Sequence, residues 1–203
     1  MIYFFDDYEN FCAEKFLKIL PENRIEKYNR LKRESDRDNC VAAYLLLRYA
    51  LRENGIDSFE TEVGANGKPF LKNKKMFFNI SHCAEGVAVA VDTEPVGIDV
   101  QEIGIFNERV AKRFFTDGER KKINASPDKA KAFTRIWTLK ESAIKNEGKA
   151  LANLDEFSFE NYEKFFEKYK KNFSCLSEKN VLISVCGNKY FDGIIIVKTE
   201  DFI

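Results

Sequence analysis

Histidine occurs once in the 203 residues, as His82, which removes any metal cage built from several imidazoles. Cysteine occurs five times, an odd number with no CxxC pair, so neither a disulfide scaffold nor a zinc ribbon is expected. Proline is scarce, four in all, and no Pro-rich or low-complexity linker divides the chain. Net charge is zero, with 33 basic and 33 acidic residues. That speaks against a protein whose task is to coat nucleic acid, while leaving room for a local basic pocket around a small polyanion. Long hydrophobic runs are missing: Gly86–Val91 and Gly193–Val197 fall far short of the roughly 20 residues a membrane helix needs. Asp6 and Asp7 follow the first strand-like residues, and no basic stretch precedes them, so no signal peptide is read. The expectation is a cytoplasmic protein that binds neither membrane nor nucleic acid. No Walker pattern occurs anywhere.

Aromatic residues are plentiful: 19 Phe and 8 Tyr are enough to fill a sizeable core. Periodicity predicts a strand at Met1–Phe5, helical segments at Cys12–Leu20 and from Pro21, and a helix over Asn39–Glu53 stopped by Asn54-Gly55. Strands follow at Phe77–Ile80 and Val87–Val91, joined through Ser81–Gly86, and at Val96–Val100. A helix near Asn107–Phe115, a capping box at Thr116–Glu119 and a long helix over Pro127–Glu147 come next. Phe157–Phe159, Val181–Cys186 and Gly193–Val197 read as further strands. The helix stops at Gly55 and Gly148, and the strands at Val87–Val91 and Val181–Val185, recur at nearly the same spacing. Two similar halves with a cleft between them are therefore expected, residues 1–95 and 96–203.

Five segments are candidates to carry chemistry. In the long helix, Phe133, Ile136, Trp137, Leu139, Ala143 and Ile144 form one apolar arc, and Lys140 falls inside it. A lysine there needs an anionic partner, must lose its proton, or must snorkel to water. Glu141 and Lys145 share the edge of that arc, four residues apart, a spacing also common on plain helix surfaces. In Gly97-Ile98-Asp99-Val100-Gln101, alternation puts Asp99 and Gln101 on one side of a strand. Asp99 and Glu141 can supply the one or two carboxylates magnesium prefers, or Asp99 can simply cap a turn. His82 ends an apolar strand, well placed for a ligand or for a structural hydrogen bond. Ser81 points to the other face, so the two are badly placed as a hydrolytic dyad. Gly64-Ala-Asn-Gly67-Lys68-Pro69 is a glycine loop offering one cation, and a basic run from Arg24 to Arg37 reads as a helix face.

In order, Gly67-Lys68-Pro69, Phe78-Asn79-Ile80-Ser81-His82, Gly97-Ile98-Asp99-Val100 and Trp137-Thr-Leu-Lys140-Glu141-Ser-Ala-Ile-Lys145, with Gly148 and Leu151, resemble the 4'-phosphopantetheinyl transferase superfamily, of the surfactin-synthetase-activating type. The resemblance implies an α/β (α+β) fold of two halves related by a pseudo-twofold axis, in a monomer. It implies transfer of 4'-phosphopantetheine from coenzyme A to a serine of an apo carrier protein, releasing 3',5'-adenosine bisphosphate. Asp99 and Glu141 would hold Mg2+, with Gln101 standing where the family often has glutamate, so that one negative charge is lost. Glu141 would act as base and Lys145 on the phosphates. Lys68, Ser81 and His82 would hold the nucleotide end, together with Arg24 and Lys27, and Lys140 would orient Glu141 or a phosphate. The alternative is a non-catalytic module that binds coenzyme A or another nucleotide.

Overall fold

The computed structural model describes residues 1–64, 66–72, 75–149, 154, 156–160 and 162–203, the side chains of 162–164 and 167 excepted. Leu151 and Ala65, both part of the motifs above, lie outside the described residues. Strands β1 (Ile2–Phe5), β4 (Phe77–Cys83), β5 (Gly86–Asp92) and β9 (Ile195–Val197) form one sheet in the order β4-β5-β1-β9. Strands β6 (Gly97–Glu102), β7 (Asn172–Glu178) and β8 (Val181–Gly187) form a second, in the order β6-β8-β7. A small hairpin joins β2 (Thr61–Val63) to β3 (Pro69–Leu71).

Helix α1 spans Glu22–Arg30 and α2 spans Glu34–Glu53. β1 is apolar at every position and β5 alternates valine with alanine, so each strand buries both faces. Tyr3, Phe5, Val87, Val89 and Val91 pack under Val41, Leu45 and Leu46 of α2. Ile2, Phe4, Ala88 and Ala90 face Ile98, Val100, Ile183 and Val185 of the second sheet. The remaining helices, α3 (Glu108–Phe114), α4 (Asp117–Ala125), α5 (Lys129–Glu147) and α6 (Tyr162–Tyr169), belong to the second half, where α5 lies across β6 and β8. The layers thus run α2, first sheet, second sheet, α5.

Several expectations are met and several corrected. Cys12–Leu20 forms a 3-10 segment at Ala13–Ile19 in place of an α-helix. Ser81–Cys83 are not a connection: the β4–β5 ladder continues to Cys83 opposite Gly86, leaving a turn of two residues. Phe157–Phe159 is not a strand; these rings pack instead with Phe165 and Phe173 under α5. Strand β7 carries no expectation above, because serines interrupt its apolar residues. The capping box at Thr116 is present, with Thr116 accepting from the Glu119 amide and Glu119 from the Thr116 amide.

The two sheets meet along their edge strands, β4 and β6. An edge strand leaves backbone N–H groups unpaired on its outer side. Here the Ile98 amide donates to Asn79 Oδ1 at 2.8 Å and the Val100 amide to Ser81 Oγ at 3.3 Å. Side chains of one sheet therefore satisfy the backbone of the other, and Asp99 lies between the two bonded positions.

Candidate functional site

Strand alternation sends Asp99 to the face of β6 that α5 covers, where it is 1% exposed. Its neighbours come from three elements. Ser81 of β4 donates to Asp99 Oδ1 at 2.8 Å, and Lys145 of α5 approaches the same oxygen at 2.6 Å and Ser81 Oγ at 3.0 Å. Gln101, two residues along β6, donates its amide to Asp99 Oδ2 at 3.4 Å. One turn before Lys145, Glu141 is nearly buried, with Oε2 at 3.9 Å from the Lys145 ammonium. Burial, and next the charge of Asp99, push the Glu141 carboxyl up to about 7, against the opposing pull of Lys145.

This closeness depends on Gly97. A Cβ there would sit 2.1 Å from the Ser142 carbonyl oxygen and 2.3 Å from the Asn146 nitrogen. Only a residue without a side chain lets the α5 backbone settle on β6. Thr138 and Ser184, both fully buried, share a hydroxyl–hydroxyl bond of 2.7 Å across the same contact, and Asn146 donates to the Pro95 and Cys186 carbonyls.

His82 points to the opposite face from Ser81, as strand alternation requires, and is exposed. Partial desolvation of its ring, with the charges of Lys27 and Lys145, holds its pKa below the ordinary imidazole value. Lys27 of α1 thus belongs to the electrostatic surroundings of His82. Arg24, on the same helix, lines a groove of about 410 Å3 with Tyr44, Leu47 and Phe59. Gln101 also borders a recess of about 310 Å3 with Ile105, Phe133 and Trp137.

Lys140 is fully buried, 3.1 Å from the equally buried Glu119 of α4. Its ammonium also donates to the Leu154 carbonyl at 3.2 Å and to that of Phe157. Glu119 in turn accepts from the Thr116 and Phe159 amides. The anionic partner that the apolar arc demanded is therefore on another helix, and a helical wheel of α5 alone carries no sign of it. Glu119 is legible in the sequence only as a cap.

Lys68 makes its bonds to the last turn of α5 and the residue before β6. Its ammonium donates to the Val96, Lys145 and Asn146 carbonyls, and burial lowers its pKa to about 8. Asn79 and Asn66 lie inside the motifs above without a role of their own, and Ser184 lies in none, because a small polar residue in a strand or loop carries no sign of its partner.

Whether these residues suit a divalent cation can be judged from the donor set. Among the described residues no cluster of three or more His, Cys, Asp or Glu side chains has metal-holding geometry. What is present is two carboxylates of neighbouring elements and a carboxamide. Burial raises Glu141 most and repulsion from Asp99 adds to it; a cation would relieve that repulsion, and one or two carboxylates suit magnesium when phosphates and waters complete its shell. The set fits that ion. No helix among the described residues is long and apolar enough to cross a membrane.

Residues 95–186, which hold Asp99, Glu141 and Lys145, match the family model described as the 4'-phosphopantetheinyl transferase superfamily. The chain is 31% identical over 152 residues to 4'-phosphopantetheinyl transferase Sfp of Bacillus subtilis (strain 168), covering 71% of this chain and 68% of that one. It is 39% identical over 97 residues to 4'-phosphopantetheinyl transferase psf-1 of Bacillus pumilus, covering 46% and 41%. To 4'-phosphopantetheinyl transferase HetI of Nostoc sp. it is 32% identical over 151 residues, covering 68% and 63%.

Proposed function

Because the chain belongs to the 4'-phosphopantetheinyl transferase superfamily, of the surfactin-synthetase-activating type, we propose that it transfers 4'-phosphopantetheine from coenzyme A to a serine of an apo carrier protein. The observation that supports this at the level of residues is the convergence of Asp99, Glu141 and Lys145 at the join of the two sheets.

The carrier serine hydroxyl approaches the phosphorus bearing the pantetheine arm. Glu141, poised near 7, takes its proton directly or through a water. The serine O–P bond forms as the bond to the inner phosphate breaks, and 3',5'-adenosine bisphosphate leaves. Lys145 sets its ammonium against the phosphate oxygens, while Ser81 and Asp99 fix where that ammonium can go. His82 and Lys27, on the other face of β4, offer donors and positive charge to the nucleotide end. Asp99 and Glu141, with the Gln101 carboxamide, would hold a magnesium ion, which supplies positive charge to the diphosphate when bound. We further propose that the protein works as a monomer in the cytoplasm, with residues 1–95 and 96–203 as the two halves of one catalytic unit; that one chain contributes every group named supports the monomer.

The test is to mix the protein with coenzyme A, magnesium and several apo carriers and weigh the carriers by mass spectrometry. A gain of one phosphopantetheine is expected, and chelation of magnesium should abolish it. Tight coenzyme A binding with no carrier modified would favour the non-catalytic module. Light scattering that returns a dimer mass would refute the monomer.

A further inference from the structure

The turn of the β2–β3 hairpin belongs to the first half, yet its side chains end on α5. An α-helix leaves its last four carbonyls without partners inside the helix. In α5 some of these are met by Gly148, in the left-handed conformation at φ 65°, whose amide bonds back to Ile144 and Lys145. Others are met by the hairpin. Lys68 Nζ donates to the Lys145 carbonyl at 2.5 Å and to that of Asn146 at 3.4 Å, and just past the helix Asn66 donates to the Gly148 carbonyl at 2.7 Å. The third Lys68 proton goes to Val96, the residue before β6, at 3.0 Å.

An ammonium has three protons, and all three are used. A phosphate could engage Lys68 only by breaking one of these bonds. A cation at the carbonyl end of a helix is also where the helix dipole favours it. The residue whose carbonyl Lys68 grips most closely is Lys145, whose own ammonium reaches Asp99 and Ser81. The loop is itself held tightly: the Gly64 amide donates to the Lys68 carbonyl and the Gly67 amide to the Gly64 carbonyl, each at 2.9 Å.

We propose that Lys68 is a positioning residue for Lys145 and not a ligand of the nucleotide phosphate: with Asn66 it caps α5 from outside and fixes the last turn from which the Lys145 side chain departs. The proposal rests on the transferase reading, and it ties the hairpin of the first half to the chemistry of the second.

The experiment compares Lys68→Met with the unaltered protein, using coenzyme A and 3'-dephospho-coenzyme A as alternative substrates. A displaced Lys145 should lower kcat about tenfold with both. The ratio of their kcat/KM values should stay as in the unaltered protein, and the amides of the last turn of α5 should exchange faster with deuterium. A ratio that collapses toward one, with exchange unchanged, would make Lys68 a phosphate ligand and overturn the proposal. Should Lys68→Met fail to fold, Asn66→Ala decides: faster exchange in the same turn supports the cap, and unchanged exchange refutes it. If the unaltered protein transfers nothing, the transferase reading fails, while the exchange comparison still decides the cap.

Discussion

Glu141 is where burial and reactivity conflict. Its carboxyl lies near 7 in the folded chain against 4.5 ordinarily. Below 4.5 both folded and unfolded chains hold the proton. Between 4.5 and about 7 the folded chain retains a proton that the unfolded chain releases, so stability falls as pH rises through that window and the cost is complete above it. Glu141→Gln removes that cost together with the base. At pH 8 and without magnesium it should melt about 2–4 °C above the unaltered protein. At pH 4 the two should melt alike, and turnover should fall by roughly 10²–10⁴. Melting and carrier-labelling assays check both halves, and an active variant would end the role of Glu141 as base. The buried Lys140–Glu119 pair makes the opposite prediction. Lys140→Met leaves a carboxylate buried without its cation and should cost about 3–5 kcal/mol in denaturant unfolding. Adding Glu119→Gln should restore part of that loss, and additive losses would show that the two do not act as a pair.

Among elements, β6 and α5 decide the site, and they were the most legible in the sequence. The strand of Asp99 and the helix of Glu141 and Lys145 show in the alternation of Gly97–Gln101 and in the apolar arc of α5. What the pattern could not reveal is which buried polar group meets which, since periodicity fixes a face but not a partner. For this reason the apolar arc puts Lys140 on a buried face and calls for an anionic partner without naming Glu119. Ser81 and His82 fell to a supposed loop because polar residues end the apolar run there, although the ladder does not. The approach of α5 to β6 gives a direct test. Gly97→Ala places a methyl group against two backbone atoms of α5, which cannot yield as a side-chain tip would. It should cost more than the usual 1–3 kcal/mol of overpacking and lower turnover by moving Glu141 and Lys145 together. An alanine variant with unchanged melting temperature and activity would remove Gly97 from this account.

For the whole molecule, the layering was less legible than its parts. β6 opens the second sheet, and the chain later returns to the first. β9, near the C-terminal end of the sequence, pairs parallel with β1, Tyr3 facing Ile195. Phe202 packs against Phe5, Phe11 and Phe16 of the first half. A strand of three residues lies below the length at which alternation can be read, and nothing in it names its partner. Removing residues 195–203 should strip β1 of its outer neighbour and expose an aromatic cluster. Loss of a cooperative melting transition, with aggregation, is the expected result by calorimetry and light scattering. A truncated chain that unfolds as sharply as the full one would contradict the role given to β9.

The pairing of β1 with β9 also has a temporal side. The sheet cannot close over β1 until β9 exists, and in chain order nearly all the other elements come between the two. Until then one flank of β1 stays bare, and this is the interval in which a chaperone or a wrong neighbour would find it.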